Sequence, residues 1–298
     1  MQLFDAHHHL WDLGAVDYVW LKQLGVPKPF GDPTPIQKDY HPQHFLDDIS
    51  SVEDLDFEGS AHIQVDGALA DPVSETSWLS KLSKSGIPSV IVGFLDLTKE
   101  YAEVILKNHL SFVEFRGVRQ IIGFLEHRPD LSFTKEHLLR NSRWRENFAL
   151  LEKYNLSVDL QLYPEQMKEA AEFLSGFPKV PIVIDHAGSP YDQTDRGLRL
   201  WREGLSALAK LPKIHIKLSG FGMYDSDWSS ESSLLLFQTI LELFGPHRIM
   251  WGSNFPVDGL VNSYSFCVKQ MMNWISLLSP NEQGFIASGT AKKFYRVT

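Results

Sequence analysis

Residues 156–186 read LSVDLQLYPEQMKEAAEFLSGFPKVPIVIDH, and this stretch decides the fold. In 156–162, Asp159 and Gln161 oppose Leu160 and Leu162, the period-two alternation of a strand with two different faces. Segment 164–175 carries a helical pattern, and 181–186 is a second strand candidate. Strand, helix, strand at this spacing is a parallel βαβ unit. The same rhythm runs outward in both directions. Strand candidates fall at 3–7, 61–66, 89–95, 117–122, 213–218 and 248–252, and helical stretches at 74–84, 99–109, 144–154, 197–211 and 231–244. Segments 263–278 and 281–295 close the chain. About eight such units within 298 residues predict an α/β protein, a (β/α)8 TIM barrel forming one domain over 1–298. A doubly wound open sheet competes, but no GxGxxG opens the first helix.

Parity along other strands agrees with a barrel whose polar mouth lies inside. His62, Gln64 and Asp66 oppose Ile63 and Val65, while His215, Lys217 and Ser219 oppose Ile214, Ile216 and Leu218. Segment 12–40 is an insertion-like loop after the first strand, with Pro27, Pro29, Pro33 and Pro35 beside Trp20 and Phe30. A loop this long is functional or disordered, and its aromatics favour an ordered cover over the site.

A formal charge of -9 argues against nucleic acid as a partner. The single cysteine, Cys267, rules out an intrachain disulfide and suits a reducing compartment; inside an apolar helical pattern it reads as buried and inert. The start, MQLFDAHHHLWD, has no basic region followed by an apolar run, and no stretch approaches the roughly 18 apolar residues of a membrane span. A cytoplasmic protein acting on a small molecule is expected, with no membrane partner and with self-association into a homo-oligomer left open.

His7 and His9 stand two apart on the first strand, so both rings face one side and His8 the other. Two imidazoles on one face can share a divalent ion or polarise a carbonyl as donors without metal. An HxH pair alone is weak evidence. A G-x-S-x-G elbow, a P-loop and a CxxC pair are all absent.

The surrounding segments extend that pair. FDAHHHLWD (4–12), FRGVRQ (115–120), LSVDLQL (156–162), VIDHAGSP (183–190), IKLSGF (216–221) and RIMWGSNFPVD (248–258) follow one another up to the terminal AKKFYRV. In that order and spacing the chain resembles the amidohydrolase-related (amidohydrolase 2) group of the amidohydrolase superfamily. The resemblance is to its sugar-lactonase and 2-pyrone-4,6-dicarboxylate lactonase-like branch, over essentially the whole length. It implies a lactonase with His7, His9 and His186 at the site, as catalytic groups or as ligands of one zinc-like divalent ion, and Arg119 holding substrate oxygens. Arg116 is the weaker substrate contact, because GVR is the matching fragment. Gln64, Asp159, Gln161 and Lys217 are further lining candidates from parity.

One residue departs from the family pattern. Asn254 stands where the eighth-strand motif usually has aspartate. An amide neither accepts a proton at neutral pH nor binds metal as a carboxylate does. Three readings stay open: the site works with Asn254, Asp258 or His186 takes over as base, or hydrolysis is lost. Work without metal stays open too. A metal-dependent decarboxylase and a non-catalytic small-molecule-binding barrel are the alternatives, since the fold alone does not choose.

Overall fold

The computed structural model describes residues 1–225, 228 and 230–297. Eight parallel strands run in sequence order around one sheet: β1 Gln2–His8, β2 Asp56–Ile63, β3 Val90–Phe94, β4 Phe115–Ile121, β5 Ser157–Gln161, β6 Ile182–Ile184, β7 Ile214–Leu218 and β8 Ile249–Trp251. Helices alternate with them, as the (β/α)8 reading requires. Closure between β8 and β1 is made just past the end of β8. The Asn254 N–H donates to the His7 carbonyl and the His9 N–H to the Phe255 carbonyl, each at 2.7 Å. Gly252 permits this approach, because a Cβ there would lie 2.5 Å from the Cβ of His7. Asn254 is thereby inserted between the two first-strand histidines.

The helices form because their apolar residues recur on one face and their starts are capped. Asp195–Ala209 buries Trp201, Gly204, Leu205 and Leu208, and Thr194 caps it by accepting from the Gly197 N–H. Ser263 does the same for Tyr264–Ile275 through Phe266. Some elements are shorter or more broken than the periodicity suggests. The 144–154 stretch is two helices, Ser142–Asn147 and Ala149–Lys153, and 281–295 spans Pro280–Gly284, a π-helical turn and Thr290–Tyr295. Helix Pro42–Ser50, after the long loop, lies outside the helical stretches expected from the sequence. Among the described residues no helix is long and apolar enough to cross a membrane.

Two apolar layers result. The outer one lies between strands and helices; the inner one fills the barrel with Phe4, Ala6, Ala61, Ile63, Val90, Val92, Val183 and Met250, closed by Phe294 and Tyr295 of the last helix. This corrects the parity expected for His62 and Ile63 in 61–66, while Gln64 and Asp66 of the same set do line the mouth. Ile63 faces the barrel interior, and His62 faces the outer layer, where Leu10 N–H donates to its Nδ1 and Glu75 lies 3.7 Å from its Nε2. A buried histidine with its own partners looks like a mouth residue in the sequence. Parity on β5 and β7 agrees with the expectation: Asp159 and Lys217 meet inside the barrel.

Candidate active site

At the C-terminal ends of the strands lies a cavity of about 840 Å³. His9, Gln64, Arg119, Gln161, His186 and Asn254 line it. The register break between Asp5 and His8 on β1 lets Ala6 and His7 both serve the interior while His8 turns out and stacks on Phe45. The rings of His7 and His9 stand 5.1 Å apart, and those of His7 and His186 4.6 Å. His186, Ala187 and Ser189 after β6, and Asn254 after β8, have left-handed backbone. Non-glycine residues held there cost of order 1–3 kcal/mol each and mark positions where geometry is over-determined. Asn tolerates that region better than most residues do.

Donor and acceptor chemistry assigns the imidazole protons. His9 Nδ1 is 2.7 Å from the Ile63 carbonyl, which only accepts, so the proton sits on Nδ1 and Nε2 keeps its lone pair. That Nε2 lies 3.3 Å from Asn254 Oδ1, which also only accepts, so the two share a hydrogen bond only when His9 gains a second proton. His186 Nε2 is 3.3 Å from an Arg119 nitrogen, which only donates, so His186 carries its proton on Nδ1, 3.1 Å from Ser219 Oγ. Burial first, then Arg119, pushes His9 down to about 3. Burial likewise holds His7 and His186 well below the usual histidine range, with Lys217 adding to the effect on His7. All three rings are neutral at pH 7.

Beneath this floor lies Asp185, which the sequence reading left out. It is fully buried. Arg119 Nε donates to it at 3.0 Å, Lys217 Nζ lies 3.3 Å away, and His7 Nδ1 also 3.3 Å. Burial works against its charge, but Lys217, His7 and Arg119 together outweigh that and hold the carboxyl well below its ordinary value. A signal for it existed: Asp185 shares the inward parity of Val183 and directly precedes His186. Arg119 also reaches the Gln64 backbone carbonyl from Nη1 at 3.3 Å, and Gln161 Oε1 at 2.5 Å and His186 Nε2 at 3.3 Å from Nη2. Among the described residues this commits four of its five N–H groups and leaves one on Nη1.

Several expected site residues lie off the cavity wall. Lys217 and Asp159 form an ion pair one layer down, where Tyr295 also donates to Asp159 at 2.8 Å and Lys217 reaches His7 Nδ1 at 3.1 Å. Burial raises Asp159 to about 6 against the pull of Lys217. His7 sits at this depth as well. Asp258 stands behind Asn254, whose Nδ2 donates to it at 2.9 Å, and burial raises its carboxyl to about 7. The loop at 12–40 supplies Trp20, Lys28, Pro29 and Phe30 to the cavity. A second wall, including Ser132, Phe133 and Thr134, comes from the segment after β4, where the sequence shows no periodic pattern to signal it.

His7, Asp185 and His186 place potential ligand atoms within 4.8 Å of one another. Two imidazoles and a carboxylate suit zinc, and His7 Nε2 is buried without a hydrogen-bond partner, so the residues fit one divalent ion. His9, the third expected ligand, stands outside this group. Lys217 and Arg119 already neutralise Asp185, which weakens its draw on a dication.

The amidohydrolase family model matches residues 4–297. The chain is a member of the amidohydrolase family. Within that family it is 34% identical over 296 residues to the uncharacterized protein y4mH of Sinorhizobium fredii, covering 99% of this chain and 98% of the relative. It is 28% identical over 306 residues to an L-fucono-1,5-lactonase of Burkholderia multivorans, covering 98% and 95%. A solved Burkholderia multivorans amidohydrolase with bound zinc superposes over 100% of both chains at a TM-score of 0.80 and 23% identity, a likeness that shows the fold.

Proposed function

We propose that this barrel is a lactonase, a hydrolase that opens a small sugar-acid or dicarboxylate lactone by attack of water on its carbonyl. The observation that carries the reading is one cavity floor holding both a neutral imidazole with a free lone pair, His9 Nε2, and a fixed guanidinium, Arg119. The names of the curated lactonase relatives support it. Arg119 receives the carbonyl oxygen and stabilises the negative charge that develops there, in a site that needs no reorganisation because Asp185 and Gln161 already hold the fork. His9 accepts the proton of the attacking water. The C–O bond of the ring then breaks, the departing alkoxide takes the proton back, and the product is the open hydroxy acid. Asp258, reached through Asn254, favours the transient imidazolium once it is ionised.

With a divalent ion bound, His7, Asp185 and His186 would be its ligands and it would supply Lewis-acid polarisation of the carbonyl. The cations beside Asp185 make that hold weak. The test is a pH-indicator screen of sugar and dicarboxylate lactones with purified protein, with and without chelator. Ring opening is expected in both arms. No turnover of any lactone, alongside decarboxylation of an aromatic acid or tight lactone binding without opening, would replace the reading.

A further inference from the structure

The cavity is larger than the proposed reaction needs. A monosaccharide lactone fills the space of about six waters, roughly 180 Å³ at about 30 Å³ each. The cavity measures about 840 Å³. Pockets of roughly 300–1,000 Å³ enclose molecules of drug size.

That room is built in, because the walls are fixed. Asp66 Oδ2 accepts from the backbone N–H of Val19 at 2.6 Å and of Trp20 at 3.3 Å, and the Trp20 indole N–H donates to the Val65 carbonyl at 2.9 Å. Trp20 is therefore pinned to the segment after β2 by two bonds of its own and one from the neighbouring Val19, and does not fold down onto a smaller ligand. Phe30 meets it edge to face with ring centroids 6.0 Å apart. Across the second wall, the Phe133 N–H donates to the Gly123 carbonyl at 3.0 Å, and Tyr163 Oη to the Leu131 carbonyl at 2.5 Å. Trp20, Phe30 and Phe133 are only half-buried although all line the cavity. Half-buried aromatic rings in a fixed wall are stacking platforms for another ring.

We propose that the substrate is a lactone bearing a second ring with an apolar face, a glycosyl or aryl group, and that Trp20 and Phe30 form the subsite for that ring. The proposal rests on the lactonase reading and deepens it. The reacting ring lies on the floor by Arg119 and His9, and the second ring occupies the outer space that a monosaccharide leaves empty.

The test compares lactone pairs that share a reacting ring: glucono-1,5-lactone with cellobiono-1,5-lactone, and γ-butyrolactone with its γ-phenyl derivative. The readout is the ratio of kcat/KM within each pair, which does not depend on the folded fraction of a variant. In the wild type at least one extended lactone should be preferred about tenfold, the size of a good aromatic stack together with its buried area. Preference in the first pair identifies a glycosyl group, and in the second an aryl group. Trp20→Ala should bring the ratio to within about twofold of unity, and Trp20→Phe should keep most of it. Ratios at or below one in both pairs, or a ratio untouched by Trp20→Ala, would overturn the second-ring subsite and leave the lactonase reading standing. Failure to open any of the four lactones would sink both.

Discussion

Asp185 shows how one residue sets the character of the site. Its carboxylate orients Arg119, approaches Lys217 and touches His7, so it arranges the floor without reaching the cavity. Arg119 then depends on its shape as much as on its charge. Arg119→Lys keeps the cation but loses the planar fork that spans Asp185, Gln64 and Gln161. We expect kcat to fall by about 10²–10³, the usual effect of losing an oxyanion donor, with steady-state lactone hydrolysis as the measurement. Asn254 brings no charge to the candidate metal group of His7, Asp185 and His186. An aspartate there would add a negative charge beside His9, so Asn254→Asp should raise zinc per chain above that of the wild type, read by elemental analysis of gently purified protein. Stoichiometric zinc in the wild type, with turnover lost on its removal, would contradict the weak hold argued from Lys217 and Arg119.

At the level of elements, the loops after the strands define the site, and their backbone is demanding. Gly220, after β7, has φ 66, and a Cβ there would lie 2.4 Å from His186 Nδ1. Gly220→Ala meets a left-handed backbone and a clash with the His186 imidazole at once. The backbone alone costs about 1–2 kcal/mol. We expect a lower Tm by thermal denaturation and a larger loss of kcat, because the imidazole must move from Ser219. Unchanged kcat would mean that the position of His186 is not critical.

At the level of the whole molecule, the buried histidines dominate the pH response. Burial leads the downward shift of His7, His8, His9, His62, His109, His186 and His215. These neutral rings contribute stability that is present above the unfolded value of 6.5 and lost as pH falls through their folded values. Burial raises Asp5 and Asp159 to about 6, Asp258 to about 7 and Glu75 to about 8. Those carboxyls act the other way, with stability present below their unfolded values and lost as pH rises through 6 to 8. The histidines are the larger set, so the Tm should fall between pH 7 and pH 5. A Tm that rises on acidification would show that the carboxyls prevail.

The sequence by itself determined the barrel, because alternating strands and helices are a local pattern and eight of them admit few closures. It also determined that His7, His9, His186 and Arg119 fall at strand ends, since strand position is local too. Tertiary structure decided which of the polar residues share a surface. His62 and Lys217 follow the same alternating pattern in the sequence, yet one faces the helices and the other the barrel interior. The bulge in β1, the closure through Asn254 and Phe255, and the wall after β4 depend on contacts between segments far apart in the chain. Parity tells only that two faces differ. Which face is inside, and which charge lies beside which, follows from the neighbouring strands.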